Sequence, residues 1–150
     1  SLNALVEETL VLVQTAGVQA RVDFISELDN ELSPINADRE LLKQVLLNIL
    51  INAVQAISAR GKIRIQTWQY SDSQQAISIE DNGCGIDLSL QKKIFDPFFT
   101  TKASGTGLGL ALSQRIIKAH QGDIRVGSLP GYGATFTLIL PINPQGNQTV

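Results

Sequence analysis

The sequence predicts an α+β fold, a two-layer α/β sandwich in which a mixed, mostly antiparallel sheet packs on three helices. Apolar residues recur at helical spacing in three longer segments, whereas shorter segments alternate apolar and polar residues as strands do. Most of the predicted strands are neighbours along the chain and are joined by polar turns, so they should pair as hairpins. With 150 residues, 43% of them hydrophobic, the chain has the size and composition of one globular domain.

The first half of the chain predicts two helices with a strand between them. The segment from Leu2 to about Thr15 has apolar residues at helical spacing, and Arg21–Leu28 alternates as a strand. Asp38 is a good N-cap for a long helix that continues to about Ala59. We expect Gly61 to end that helix, because glycine readily adopts the left-handed conformation that follows a helix.

The second half predicts a hairpin, two helices and a closing hairpin. In order, the predicted elements are the strands Lys62–Gln69 and Gln75–Glu80, a short helix near Leu90–Ile94, a long helix Gly107–His120, and the strands Asp123–Ser128 and Ala134–Leu140. The turn of the last hairpin is Pro130-Gly131-Tyr132-Gly133, which is typical turn composition.

Charge and composition exclude several classes of protein. The net charge of −2 argues against a nucleic-acid partner, since nucleic-acid-binding domains usually carry a basic surplus. No apolar run approaches the ~18 residues of a membrane span, so we expect no direct membrane insertion of this segment. Cys84 is the single cysteine, which rules out an internal disulfide and favours a reducing, cytoplasmic compartment. Because the chain lacks methionine, we expect Ser1 to be an internal position of a longer protein.

Two glycine-bearing loops suggest a nucleotide cradle. Residues 81–85 read Asp-Asn-Gly-Cys-Gly, and residues 105–110 read Gly-Thr-Gly-Leu-Gly-Leu directly before a predicted helix. A carboxylate such as Asp81 accepts hydrogen bonds, so it matches the amine of adenine and repels the carbonyl of guanine. A helix N-terminus favours phosphate. Taken singly, the first loop is more typical of a tight turn, and the second is also typical of a flexible hinge before a helix.

The long helix from Asp38 carries a polar stripe beside its apolar face. The stripe contains Gln44, Asn48, Asn52 and Gln55, three or four residues apart. Asparagine is a mediocre helix former, so two on one stripe of an apolar helix require a reason. A solvated face is one interpretation. The other is a metal site, because carboxamide oxygens are hard ligands that suit Mg²⁺.

A phenylalanine-rich segment lies between the two glycine loops. Ile94–Lys102 holds three of the five phenylalanines of the chain in a region without regular periodicity. Pro97 disfavours a buried strand there, and the small residues that follow at 103–105 permit hinging. We expect a mobile lid with a hydrophobic anchor, from which Lys102 reaches a γ-phosphate. A solvated lysine is the alternative.

In combination these segments resemble sensor histidine kinases. In chain order, residues 46–53, 80–87, 94–102 and 105–110 are similar to the asparagine box, first glycine box, phenylalanine box and second glycine box of that family. Residues 131–136 resemble its final hairpin, and residues 98–102 are most similar to the nitrogen-regulator type. The resemblance covers nearly the whole chain. It implies the Bergerat fold shared with gyrase, Hsp90 and MutL, with a mobile ATP lid.

The resemblance also implies roles for single residues. Asn52 would coordinate the Mg²⁺ that bridges the ATP phosphates, Asn48 would line the same site, and Lys102 would neutralise charge. Asp81 would accept from the adenine amine, supported by Thr135. The remaining nucleotide-binding residues implied are Gly83, Gly85 and Ile86 around the base, and Gly105, Thr106, Gly107, Leu108 and Gly109 around the phosphates.

The implied activity is transfer of the ATP γ-phosphoryl group to a histidine. In related ATPases the position of Asn48 resembles a glutamate that activates water, and a carboxamide cannot take that proton. The acceptor histidine would lie on a separate upstream dimerisation domain of a homodimer, with a response regulator next in the relay. His120 is the one histidine of this sequence. It lies at the C-terminal end of a predicted helix, where the helix dipole favours it, and this is a sufficient structural explanation for its presence. The alternatives are an anti-sigma-type serine kinase and an ATP-binding interaction module without catalysis.

Overall fold

A computed structural model of the chain describes residues 1–15, 21–99 and 109–144. Four helices and five strands are present in these ranges. In chain order they are α1 (Leu2–Val13), β1 (Val22–Leu28), α2 (Arg39–Ala56), β2 (Gly61–Ser71), β3 (Gln74–Asp81), α3 (Leu88–Gln91), α4 (Gly109–Ala119), β4 (Asp123–Leu129) and β5 (Gly133–Pro141). The three longer helices α1, α2 and α4 correspond to the three that the sequence predicts.

The five strands form one mixed sheet in the order β1-β2-β3-β5-β4. β1 pairs with β2 in parallel, and the other three pairs are antiparallel. The register places Ile65, Ile79 and Phe136 in one row across the sheet, and all three are buried in the core that the helices cover. The predicted fold class, a mostly antiparallel sheet packed on three helices in two layers, is confirmed.

Helix α2 is the centre of the helical layer and contacts both α1 and α4. Its N-cap is Asp38, as predicted, because the Asp38 side chain accepts a hydrogen bond from the backbone N–H of Leu41. One face of the helix is buried, with Ile49 fully inaccessible to solvent. The apolar stripe of the sequence is therefore the core face of this helix, and Asn48 and Asn52 lie half-buried beside it.

The prediction for the end of α2 is wrong. The helix ends at Ala56 instead of about Ala59, and Gly61 is the first residue of β2 instead of a helix C-cap. Ile57 turns into an extended conformation and buries its side chain, while the Arg21 guanidinium donates to its carbonyl oxygen. Burial of Ile57 and capping by a distant arginine stop the helix, and neither is visible in the local sequence.

Other boundaries differ by one to three residues. The β2–β3 hairpin is longer than predicted and has a tighter turn. The short helix α3 begins two residues early, at Leu88, because the Asp87 side chain accepts from the Ser89 N–H and caps it. The beginning of the predicted helix Gly107–His120 lies outside the described residues, and its described part ends at Ala119. No helix within the described ranges has the length and apolar character needed to cross a membrane.

His120 joins the end of α4 to the beginning of α2. Its Nδ1 lies 2.8 Å from the carbonyl oxygen of Ile116, and its Nε2 accepts from the Asp38 N–H at 3.1 Å. The Ile116 carbonyl can only accept, so Nδ1 carries the proton in this arrangement. The Nδ1 contact stays within the end of α4, and the Nε2 contact joins α4 to the N-cap of α2. Both ring nitrogens of His120 therefore have structural partners, while the helix-dipole reason predicted for this histidine remains a prediction.

Candidate nucleotide-binding site

Asp81 is the last residue of β3, and its side chain is only 4% exposed. Its Oδ1 accepts from the backbone N–H of Gly83 at 2.9 Å. Burial raises the pKa of this carboxyl, and it outweighs the backbone N–H groups of Gly83 and Ala134, which lower the pKa. A carboxylate has two acceptor oxygens with about four lone-pair positions, so these bonds leave capacity for a ligand amine.

The glycines after Asp81 pack closely against the backbone of the protein itself. A Cβ on Gly83 would lie 2.4 Å from the Ala56 carbonyl oxygen at the end of α2. Gly85 has a φ of +74°, and its Cβ would lie 2.2 Å from the carbonyl oxygen of Leu129. These contacts require glycine at both positions. The predicted approach of Gly83 and Gly85 to the base remains a prediction beside this structural requirement.

The Asp81 loop, residues 81–87, lies between the end of α2 and the β4–β5 turn. The Cys84 N–H donates to the Ala56 carbonyl at 3.1 Å, and the Gly131 N–H donates to the Cys84 carbonyl at 2.8 Å. At Gly133, with a φ of +95°, a Cβ would lie 1.9 Å from the carbonyl oxygen of Asp81. The loop is therefore fixed on both sides by backbone, and the β4–β5 turn closes over the residue that carries the carboxylate.

Asn48 connects α2 to the first turn of α4. Its Nδ2 donates to the Gly109 carbonyl at 3.3 Å and to the Ser113 hydroxyl oxygen at 3.4 Å. Because the Gly109 carbonyl only accepts, the amide nitrogen must face α4. The carboxamide oxygen of Asn48 takes no part in these two hydrogen bonds. Asn48 therefore holds the place where the second glycine loop enters its helix.

The structure brings the predicted residues together in two groups, both attached to α2. Asp81, Gly83, Gly85 and Ile86 share the loop that contacts the end of α2, and Asn48 lies beside Gly109 near its middle. Asn52 is half-buried one turn after Asn48 on the same helix. The other predicted residues, Lys102, Gly105, Thr106, Gly107 and Leu108, lie outside the described residues.

The predicted support of Asp81 by the Thr135 side chain is wrong. The β3–β5 register pairs Thr135 with Glu80, while Asp81 is paired with Ala134. Since successive side chains of a strand point to opposite faces, the Thr135 side chain is on the face opposite the Asp81 carboxylate. The backbone N–H of Ala134 makes the contact with Asp81 instead. A shift of one residue along β5 accounts for the error.

Two residues that sequence reasoning missed also contact this loop. Ser128 accepts from the Ile86 N–H, and Gln91 donates to the Ile86 carbonyl. Ser128 belongs to a predicted strand and Gln91 to a predicted short helix, so both read as ordinary surface polar residues. Only the pairing of β4 with β5, which brings the hairpin beside the loop, reveals their contacts.

The raised pKa of Asp81 predicts how the stability of the nucleotide-free chain depends on pH. The native state holds this proton more tightly than the unfolded chain, so ionisation of Asp81 lowers the free energy of unfolding as pH rises from about 4. The penalty is absent below the unfolded pKa and complete above the native pKa. We expect the stability of the parent chain relative to Asp81→Asn to fall as pH rises through this interval.

Urea denaturation of both chains between about pH 3 and pH 7 measures this difference. The carboxyl groups of Glu8 and Asp123 have lowered pKa values, chiefly because Lys43 and Lys118 bind them, and they affect both chains equally. The assignment of a destabilising buried charge to Asp81 would be contradicted if the free energy of unfolding of the parent chain, relative to that of Asp81→Asn, stayed constant or rose with pH.

Comparison with known proteins is consistent with this geometry. Residues 37–144 match the family model described as histidine kinase-, DNA gyrase B-, and HSP90-like ATPase. The chain is 99% identical over its 150 residues to the signal transduction histidine-protein kinase AtoS of Escherichia coli strain K12, of which it spans 25%.

Solved structures give the same result. The catalytic domain of histidine kinase ThkA superimposes with a TM-score of 0.86 at 38% identity, covering 96% of this chain and 94% of that domain. A structure of ThkA in complex with the response regulator protein TrrA matches with a TM-score of 0.83 at 34% identity, covering 98% of this chain and 42% of that one. The resemblance drawn from the four sequence motifs is confirmed. This chain belongs to the family of histidine kinase-, DNA gyrase B- and HSP90-like ATPases.

Proposed function

We propose that this chain binds Mg²⁺-ATP and donates its γ-phosphoryl group to a histidine on a separate helical dimerisation domain, for relay to a response regulator. The observation that carries the proposal is the position of Asn48. Asn48 commits its amide nitrogen to Gly109 and Ser113. The resemblance to related ATPases aligns this neutral carboxamide with their water-activating glutamate, and a carboxamide cannot act as that base. The kinase names of the similar proteins, and the complex of ThkA with a response regulator, support the same activity.

Adenine recognition rests on the buried carboxylate of Asp81. Its burial beside backbone N–H donors gives a fixed acceptor at low dielectric, where a hydrogen bond to the exocyclic amine of adenine is strong. A guanine carbonyl would place acceptor against acceptor, which costs about 1–3 kcal/mol when buried. Asp81 therefore selects ATP over GTP.

We assign the proposed magnesium ion to Asn52 of α2. Among the described residues no cluster of three or more histidine, cysteine or carboxylate side chains forms a protein cage for a metal. Mg²⁺ in nucleotide sites is commonly held by few protein oxygens, with phosphates and waters completing its shell. Asn52 would supply such an oxygen, and Lys102 would add a positive charge at the phosphates. When bound, the ion supplies charge neutralisation for the transferred phosphoryl group.

The residues of this chain then act by positioning. Asn48 fixes the first turn of α4 against α2, and thereby the end of the loop that we assign to the phosphates. Since its carboxamide cannot remove a proton from water, hydrolysis should be slow, and the phosphoryl group is retained for an acceptor. An anti-sigma-type serine kinase would be expected to carry a catalytic glutamate near this position, so Asn48 disfavours that alternative.

The acceptor belongs to a part of the protein beyond this sequence. Nδ1 of His120 is hydrogen-bonded to the Ile116 carbonyl of α4 and Nε2 to the Asp38 N–H before α2, so neither nitrogen is available as the nucleophile. The chain spans a quarter of its 99% identical relative, which leaves ample length for a dimerisation domain. We propose that the whole protein is a homodimer and a membrane-anchored sensor. This domain would be its cytoplasmic part.

Phosphoryl transfer in trans tests the proposal. The chain is mixed with the helical dimerisation domain of the AtoS relative, γ-labelled ATP and Mg²⁺. We expect an acid-labile, base-stable phosphoryl adduct on the helical domain, and its loss with Asn52→Ala. The matched control is Gln44→Ala, which truncates an exposed amide two turns earlier on the same helix and should leave transfer intact. Transfer to serine, or release of free phosphate without an adduct, would contradict a histidine kinase.

A further inference from the structure

The side chain of Ser128, in β4, binds the backbone of the Asp81 loop and of the β4–β5 turn. Its Oγ accepts a hydrogen bond from the Ile86 N–H at 2.7 Å and donates to the Gly133 carbonyl at 2.7 Å. The sheet register places Ser128 opposite Ala134, which is in turn opposite Asp81. The Ser128 side chain is therefore on the same face of the sheet as the Asp81 carboxylate, two strands away.

Gln91, the last residue of α3, completes the contact. Its Nε2 donates to the Ile86 carbonyl at 3.1 Å and to the Ser128 carbonyl at 2.9 Å. The backbone N–H of Ile86 is thus held by Ser128 and its backbone C=O by Gln91. We refer to these two side chains together as the Ser128–Gln91 clamp.

The loop that the clamp holds has little stiffness of its own. Gly83 and Gly85 lack side chains, and glycine has more conformational freedom than any other residue. Gly85 must nevertheless keep a φ of +74° and a close approach to Leu129. Backbone hydrogen bonds already hold Cys84 on both sides. The side-chain hydrogen bonds from β4 and α3 fix the next part of the loop, at Ile86.

We propose that Ser128 and Gln91 are positioning residues for adenine recognition, which deepens the function proposed above and rests on it. By fixing Ile86, the clamp fixes the loop whose first residue, Asp81, accepts from the adenine amine. It acts on the base side of the nucleotide. Loss of the clamp should lower the affinities for adenosine and for ATP by the same factor. The same loss should raise the KM for ATP in phosphoryl transfer without changing kcat.

Three substitutions test the clamp. Ser128→Ala removes the acceptor for Ile86, Ser128→Thr keeps a hydroxyl, and Gln91→Met keeps the length of the side chain without its donor. Ser26→Ala, at an exposed serine of β1 on the opposite edge of the sheet, is the control. Each chain is titrated with adenosine and with Mg²⁺-ATP, and amide hydrogen exchange is followed at Ile86.

We expect Ser128→Ala and Gln91→Met each to raise both dissociation constants about 2- to 10-fold, the effect of one neutral hydrogen bond. Exchange at the Ile86 amide should accelerate in Ser128→Ala, and Ser128→Thr should restore both readouts. Unchanged exchange and affinity in Ser128→Ala, or a loss confined to ATP with adenosine unaffected, would overturn the proposal. If the parent chain binds no adenine compound, the proposed function fails, whereas the exchange at Ile86 still reports whether the clamp fixes the loop.

Discussion

Replacing Asp81 by asparagine should weaken ATP binding about 30-fold, a loss of about 2 kcal/mol. Asparagine can still accept from the Gly83 N–H through its carboxamide oxygen, but its amide group then faces the adenine amine as donor against donor. The side chain is buried, so water cannot relieve the mismatch. Titration calorimetry with Mg²⁺-ATP measures the dissociation constant, and the GTP affinity should not fall in parallel.

Glu80→Gln is the matched control for this change. Glu80 is the neighbouring residue of β3, is exposed, and loses the same charge on substitution. Its side chain is on the opposite face of the sheet, so ATP affinity should change less than twofold or so. Equal effects of the two substitutions would show that net charge, and not contact with adenine, sets the affinity of the site.

Replacing Gly133 by alanine should lower the free energy of unfolding by about 3 kcal/mol and weaken ATP binding with it. Two costs add. The φ of +95° is unfavourable for a residue with a Cβ, and that Cβ would lie 1.9 Å from the Asp81 carbonyl oxygen. Relief requires β5 to move away from β3 at the residue that holds the carboxylate. Urea denaturation and the ATP titration measure the two effects.

Two other glycines of the same hairpin separate these costs. Gly131 has a φ of +82°, and a Cβ added there would have no neighbouring atom within 4 Å, so Gly131→Ala tests the conformational cost alone and should cost about 1 kcal/mol. Gly127 also has open space and no positive φ, so Gly127→Ala should change stability by less than about 0.5 kcal/mol. If Gly133→Ala is no worse than Gly131→Ala, then the close approach to Asp81 does not constrain the hairpin.

The helical layer and the hairpins could be predicted from the sequence because their signals are local. Leu42, Ile49 and Ala53 recur at helical spacing, and Asp38 stands one residue before the helix that it caps. The two glycine loops are recognisable from their order along the chain with the asparagine and phenylalanine motifs. None of these inferences needs to know which strand pairs with which.

What could not be predicted depends on contacts between distant parts of the chain. Arg21 caps the end of α2 from before β1, which moves the helix end and turns Gly61 into a strand residue. The error at Thr135 is one of register, because the sequence does not say which residue of β5 faces Asp81. Ser128 is missed for the same reason, since its role exists only once β4 lies beside the Asp81 loop.

Helix α2 sets the distance between the start of α4 and the Asp81 loop. Asn48 contacts the start of α4, and the Ala56 carbonyl receives the Cys84 N–H of the Asp81 loop. Eight residues of helix separate these two anchors, a fixed spacing of about 12 Å. Inserting one residue between Asn48 and Ala56 would increase their distance along the helix by about 1.5 Å and rotate one anchor by about 100° relative to the other. For the proposed nucleotide site, we therefore expect the number of residues in α2 to set the distance between the base-binding and the phosphate-binding parts of the ligand.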